Sequence, residues 1–156
     1  MNHYDTYVRI SALYRQHLFQ TAAHFFNANT EVERAIAFPE ILSKALLREV
    51  ASEFSLCGAW AEEAKRSCAE FTRLHNAYPG QTLTIDAAHQ LDRLAKIGSD
   101  VHELMPLIQT LVADSDLQEQ IWASSEYTRL FTDLASNISA AIDWQRTLAL
   151  DTHSDS

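Results

Sequence analysis

The chain contains seven histidines, side chains that serve as metal ligands and as acid–base groups near neutral pH. His3, His17 and His24 are predicted to lie along one flank of the first helix, at the border of its apolar face. Metal ligands on a helix are usually three or four residues apart, but neither Glu-x-x-His nor His-x-x-x-His occurs. Asp86 and His89 have suitable spacing on a polar face without an obvious third ligand. We therefore expect no metal and no cofactor, and histidines that pack or form hydrogen bonds.

Two further pairs of reactive side chains fall on the second helix. Glu53 and His75 are separated by 22 residues, or about 33 Å along a helix axis, so they cannot act together. We expect Glu53 to pair with Arg15 or another cation. Cys57 and Cys68 are separated by eleven residues, about 16 Å, whereas a disulfide needs Cα atoms within about 7 Å. Both cysteines are predicted to be free, small core residues.

Sequence motifs for nucleotide binding and for acyl transfer are missing. The three glycines, Gly58, Gly80 and Gly98, are isolated, which excludes a phosphate-binding loop, and no Gly-x-Ser-x-Gly elbow occurs. The chain thus presents no candidate catalytic residue by motif, and a protein that is not an enzyme is favoured.

A short segment on the third helix resembles a known phosphotransfer motif. His89-Gln90-Leu91, followed by Gly98, is similar to the phosphorylated helix of histidine phosphotransfer domains, which are also helical bundles. The family continues into Lys-Gly, where this chain has Asp92 and Arg93, and the later glycine comes one residue early. The resemblance covers about ten residues and departs from the family at its most informative positions.

A second resemblance concerns the end of the chain. Arg146 and His153 are spaced like the Arg-x(4–6)-His signature of HEPN ribonucleases, which are dimeric helical bundles of similar size. The resemblance implies that both residues are catalytic across a dimer interface.

The most informative pattern is a second stripe on the last helix, away from the main apolar face. It comprises Trp122, Glu126, Arg129, Asp133, Ala140 and Trp144. Tryptophan beside charged residues is typical of recognition surfaces, so Trp122, Glu126, Asp133 and Trp144 are predicted to bind a protein partner. The alternative is a helix buried on two sides, with the tryptophans in the core and the acids at the rim.

Composition and charge narrow the choice of fold and partner. The 156 residues carry a net charge of −9, and residues from Asp114 onward contribute eight acids against two arginines. This balance disfavours direct nucleic-acid binding, which needs surplus Lys and Arg. Only three Gly and three Pro are present, so few tight turns are available and long helices are favoured. The chain shows no apolar signal segment or membrane span, and a cytoplasmic location is expected.

The apolar periodicity predicts long helices joined by short connections. We expect them over residues 4–28, 39–78, 84–112 and 116–148, with a kink or a break in the third at Gly98-Ser99 and at Pro106. Residues 1–150 should form one all-α domain, an antiparallel bundle of four to five helices, and 151–156 a disordered polar tail.

The helix ends are predicted from local signals. Thr30 with Glu33 and Ser115 with Gln118 match capping boxes, and residues 78–81, Tyr-Pro-Gly-Gln, match a type II turn.

These observations favour a non-enzymatic, acidic helical bundle that binds and regulates or inhibits a protein, as an adaptor, inhibitor, immunity protein or anti-defence factor does. A homodimer is plausible, because the two tryptophans outside the main apolar face could meet a second copy. The alternatives are a HEPN-like ribonuclease, and a small-ligand or metal-binding bundle that uses the histidine flank.

Overall fold

A computed structural model describes the backbone of residues 3–77 and 85–154 and the side chains of 5–77 and 87–147. Its α-helices are α1 (His3–Ala37), α2 (Lys44–Asn76), α3 (Ile85–Ala113), α4 (Gln118–Trp122) and α5 (Ser125–Ser154). Two short 3-10 helices, Pro39–Ile41 and Ser115–Leu117, lie in the connections. No strand occurs in these ranges, and the helices pack as a single domain, which confirms the all-α bundle.

Side-chain contacts show that α1 and α2 run antiparallel. The Tyr7 hydroxyl lies 3.0 Å from His75 Nδ1 near the start of α1. Farther along, His24 meets Glu53. The residue number rises on α1 as it falls on α2, which is the pattern of an antiparallel pair.

The same reasoning places α5 antiparallel to α3. Gln90 of α3 donates a hydrogen bond to the carbonyl of Ala141, and Glu103 lies near Arg129. The bundle closes where Phe25 of α1 contacts Phe131 of α5, with ring centroids 5.2 Å apart. Helix α1 packs extensively on α2 and only lightly on α5.

The core is one continuous apolar cluster formed by all four long helices. From α2 it takes a stripe of residues spaced by threes and fours: Val50, Phe54, Cys57, Ala61, Ala64 and Cys68. Phe71 continues the stripe as a buried residue outside this cluster. The small residues in this stripe let neighbouring helices approach closely. Helix α2 passes through Gly58 without a break, as predicted.

Helix α1 is longer than predicted, because the expected stop at Thr30 is overridden. The Thr30 hydroxyl donates to the Phe26 carbonyl one turn earlier, and Glu33 accepts from Asn29, so neither residue caps a new helix. Val32, buried beyond that point, holds the last turns against the core. The capping-box interpretation was therefore wrong.

The second helix begins later than predicted. Pro39 opens only a short 3-10 helix, and the Ser43 hydroxyl then caps α2 by accepting from the Leu46 amide at 3.1 Å. The predicted turn at residues 78–81 lies outside the described residues.

Helix α3 is continuous through Gly98 and Pro106, so it has no break at either position, and the alternative of a kink stays a prediction. Leu104, Ile108 and Leu111 are fully buried around Pro106. Their packing outweighs the backbone hydrogen bond that proline cannot make.

The predicted last helix is two helices. Helix α4 ends at Trp122, and the Ser124 hydroxyl caps α5 by accepting from the Tyr127 amide at 3.1 Å. Asp114, rather than the predicted Ser115, caps the 3-10 helix before α4. Residues 155 and 156 lie outside the described residues, and the tail from 151 stays a prediction.

None of the described helices combines the length and the apolar character that a membrane crossing requires.

Candidate functional site

The histidine flank of α1 is occupied by hydrogen bonds. His17 Nδ1 lies 3.0 Å from the Ser67 hydroxyl, and its ring packs on Trp60. His24 Nδ1 lies 2.6 Å from a carboxylate oxygen of Glu53. The side chain of His3 lies outside the described residues. Among those described, no group of three His, Cys, Asp or Glu side chains is arranged to hold a metal.

The partner of Glu53 differs from the first expectation. His24, not Arg15, meets the carboxylate, and Arg15 is exposed. The sequence places His24 and Glu53 at the borders of the apolar faces of their helices. Which side chain meets Glu53 depends on how far α1 is shifted along its axis relative to α2, and the sequence does not give that shift. His75, near the end of α2, is paired with Tyr7, and burial lowers the pKa of its imidazole.

The two cysteines are free and completely buried. Burial raises the pKa of the Cys57 thiol to about 12 and that of the Cys68 thiol to about 11. Because the thiolate is the reactive form, neither side chain is activated as a nucleophile.

Trp122 and Trp144, two of the predicted partner-binding residues, both pack against the core and are half-buried. The Trp122 ring makes an edge contact with Tyr127, with centroids 5.1 Å apart. The Trp144 ring makes a similar contact with Tyr14. This arrangement is the one foreseen in the alternative interpretation, in which the tryptophans belong to the bundle and the acids reach its rim.

A buried polar node lies beneath Trp144. Gln90 is completely buried and donates hydrogen bonds to the Tyr14 hydroxyl and, at 3.1 Å, to the Ala141 carbonyl. Its carbonyl oxygen accepts from Arg93 at 2.6 Å. Gln90 thus ties α1, α3 and α5 together and fixes their relative register.

The other two predicted partner-binding residues, Glu126 and Asp133, lie two turns apart on α5, and Asp133 is close enough to Asp100 of α3 for their charges to repel. Asp100 is completely buried, and Lys96 Nζ lies 3.0 Å from its Oδ1. Neither carboxylate oxygen receives a well-directed hydrogen bond from any described residue. Burial raises the pKa of Asp100, Lys96 lowers it, and repulsion from Asp133 and Glu103 raises it further.

We call Asp100, Glu103, Glu126 and Asp133 the acidic face. Glu103 and Glu126 are exposed, and Asp133 is half-buried. Two cations lie beside them: Lys96, and Arg129, whose Nη2 is 3.7 Å from Glu103. Lys96 pairs with Asp100, and Arg129 pairs with Glu103 through a long contact that is weak at an exposed site. The acidic face therefore has four carboxyl groups and two neighbouring cations.

The α3 half of the acidic face was not predicted. Asp100 and Glu103 follow Gly98-Ser99, where a kink or a break was expected. Because of that expectation, the two acids were not considered as neighbours on one continuous helix. Asp100 also comes three residues after the buried Ile97 and four before the buried Leu104. That spacing was a signal of burial that could have identified Asp100.

The residues that carry the phosphotransfer and HEPN resemblances lie on α3 and α5. His89 is exposed on α3, whereas its neighbour Gln90 is the buried node. Arg146 is exposed on α5, and the side chain of His153 lies outside the described residues. A phosphotransfer role for His89 and a ribonuclease role for Arg146 and His153 stay predictions.

A shallow groove of about 350 Å³ runs between α2 and α3, on the opposite side of α3 from α5. Its lining is mixed: Glu62, Lys65 and His102 supply charge and acid–base groups, and Gly58 and Gly98 supply its depth. No hydrogen bond links the three polar side chains, so they form no preorganised acid–base set.

Comparisons with known protein families, with curated proteins and with solved structures find no match to this chain.

Proposed function

We propose that this chain is a non-enzymatic, acidic helical bundle that binds and regulates or inhibits a protein partner, as adaptors, inhibitors, immunity proteins and anti-defence factors do. The observation that supports this function is the acidic face. Burial raises the pKa of Asp100, and Asp133 and Glu103 lie close enough for repulsion to raise it further. Among the described residues, Lys96 and Arg129 are the cations that form ion pairs with these acids.

Such crowding costs folding free energy, because like charges in a partly dry site repel. A basic surface placed against this face would supply the missing cations and relieve that repulsion. Charged surfaces of this kind speed association and fix the orientation of a complex.

Acids outside the acidic face extend its negative electrostatic potential along the bundle. Asp114, Asp116 and Glu119 are exposed in the segment that joins α3 to α5. No Lys, Arg or His occurs between Asp114 and Glu126. This end of the bundle therefore favours a basic protein surface, and the same charge repels nucleic acid.

The experiment is affinity capture of the tagged chain from its own source, with captured proteins quantified by mass spectrometry. Glu126→Lys with Asp133→Lys changes the net charge from −9 to −5 and should lower the recovery of the specific partner by about tenfold or more. Trp144 is left intact, because it packs against Tyr14 and its removal would disturb the fold.

The matched control is Glu40→Lys with Glu49→Lys, which makes the same charge change at exposed sites before and on α2. Circular dichroism checks that both variants fold. Equal recovery with both double variants would contradict the assignment of the partner to the acidic face.

A further inference from the structure

The outer surface of α1 carries an exposed apolar stripe that the bundle does not use. Phe19 is 69% exposed, Phe26 is 59% exposed and Val8 is 46% exposed. These three residues fall on nearly the same side of the helix, facing away from α2 and the core. Isolated exposed apolar residues are ordinary, but two phenylalanines in line on one helix are typical of an interaction surface.

The stripe belongs to a regular heptad pattern. Positions alternate by four and three residues through Val8, Ala12, Arg15, Phe19, Ala22, Phe26, Asn29, Glu33 and Ile36. This spacing is the seam of a two-helix coiled coil, in which side chains of one helix fit between those of another. The seam extends about 42 Å along α1. All its members except the buried Ala22 and the half-buried Asn29 are exposed.

We infer that α1 pairs with α1 of a second copy of this chain, in antiparallel orientation and with the two-fold axis near residue 24. Charge supports the second copy as the occupant. The seam contains one cation, Arg15, and one anion, Glu33, which are 18 residues apart. Among the described residues, Arg15 has no ion-pair partner within its own chain. A parallel dimer would place Arg15 against Arg15 and Glu33 against Glu33, whereas an antiparallel dimer brings each cation to an anion.

The register that joins Arg15 to Glu33 also matches side-chain sizes. Its remaining layers pair Ala12 with Ile36 and Phe19 with Asn29. Phe26 faces the helix surface at Ala22, whose small side chain is already buried in its own core, so every phenylalanine meets a smaller residue. The half-exposed Ala23 lies at the two-fold axis beside its own copy, where a small side chain permits close approach. Shifting the register by one heptad in either direction removes the contact between Arg15 and Glu33.

The interface is small, because one pair of helices carries it, and we expect a concentration-dependent dimer rather than a permanent one. This inference is independent of the acidic face, which involves only α3 and α5. Failure of either proposal leaves the other intact.

Sedimentation velocity of the full chain at concentrations from about 1 to 500 µM tests the pairing, because interfaces at the small end of the size range belong to weak, transient complexes. The wild-type chain should shift from monomer to dimer. Phe19→Ser with Phe26→Ser should remain monomeric, and their exposure makes loss of the fold unexpected. A wild-type chain that is monomeric throughout the range, or a dimer unaffected by the double variant, would overturn the inference.

Charge exchange tests the orientation. Arg15→Glu alone and Glu33→Arg alone should each weaken the dimer by about tenfold, and the two together should restore it, because only the antiparallel register exchanges the partners. Arg48→Glu with Glu49→Arg, at exposed positions on α2, should change nothing. Failure of the combined variant to recover would refute this register.

Cross-linking tests the two-fold axis directly. Ala23→Cys should form a disulfide-linked dimer on mild oxidation, whereas Ala59→Cys, exposed on α2, should not. Cys57 and Cys68 are buried and should not contribute. Equal cross-linking at the two positions would contradict the pairing.

Discussion

At the scale of single residues, the most consequential side chain is Asp100. A carboxylate that is fully covered, and that among the described residues forms an ion pair with Lys96 alone, is held in an unfavourable environment. The raised pKa of Asp100 means that its contribution to stability is fully present at low pH, where the group is protonated. That contribution is lost as the pH rises through the folded-state pKa.

Asp100→Asn should therefore stabilise the protein at neutral pH, by about 1 kcal/mol or about 3 °C in melting temperature. The advantage should shrink as the pH falls through the raised folded-state pKa and disappear below the ordinary aspartate pKa of about 4, where the wild-type carboxyl is protonated in both states. Thermal unfolding across this pH range provides the measurement. Asp92→Asn, at an exposed site on the same helix, is the control and should have little effect. A lower melting temperature for Asp100→Asn at neutral pH would mean that the ion pair with Lys96 outweighs the cost of burial.

The thiols give a second residue-scale prediction. Burial and the raised pKa values should protect Cys57 and Cys68 from a thiol reagent at about pH 8, and denaturant should expose both. Absorbance after reaction with an aromatic disulfide measures the number of reactive thiols. Rapid modification of either thiol in the folded protein would show that the core opens more readily than this packing implies.

At the scale of elements, the two described glycines form a matched pair. A Cβ atom added at Gly98 would meet no heavy atom within 4 Å. One added at Gly58 would lie 2.9 Å from Val101 Cγ1, a branched side chain that is itself buried. The same substitution therefore has opposite expected effects in α3 and α2.

Gly98→Ala should raise stability by about 1 kcal/mol, because alanine is the better helix former. Gly58→Ala should lower stability by about 1 kcal/mol or more, because overpacking against Val101 exceeds that gain. Urea unfolding of the two variants and the wild type gives the comparison. Equal stabilisation by both would indicate that α2 and α3 separate at low cost to accept the methyl group.

The sequence predicts the elements well where one face decides the structure. The stripe of α2 is regular, so its buried residues could be identified from spacing alone. The sequence predicts the elements poorly where packing against other helices decides the structure. The capping signal at Thr30 does not end α1, because buried residues farther along that helix pack against the core. Pro106 does not end α3, because buried residues on both sides of it hold the helix in place.

The candidate site was predictable only in part, for the same reason. Glu126 and Asp133 could be found from their spacing beside two tryptophans. The proximity of Asp133 to Asp100 depends on how α5 lies against α3, and the buried Gln90 node that fixes this register joins three helices. No single-helix pattern contains that information.

At the scale of the whole molecule, the chain has two distinct outer surfaces. The acidic face on α3 and α5 favours a basic protein, and the heptad seam on α1 favours a second copy. Because they lie on different helices, a dimer would leave both acidic faces accessible and present two binding sites to a partner. Bivalent binding of this kind raises the apparent affinity wherever the partner offers two matching surfaces.

Native mass spectrometry of the protein purified from its own source, at low ionic strength, tests the central claim most directly. We predict a stoichiometric complex with a basic protein, which persists with Glu40→Lys and Glu49→Lys and disappears with Glu126→Lys and Asp133→Lys. A chain that carries a stoichiometric metal or small molecule and no protein, or a complex indifferent to the acidic face, would contradict the proposed function.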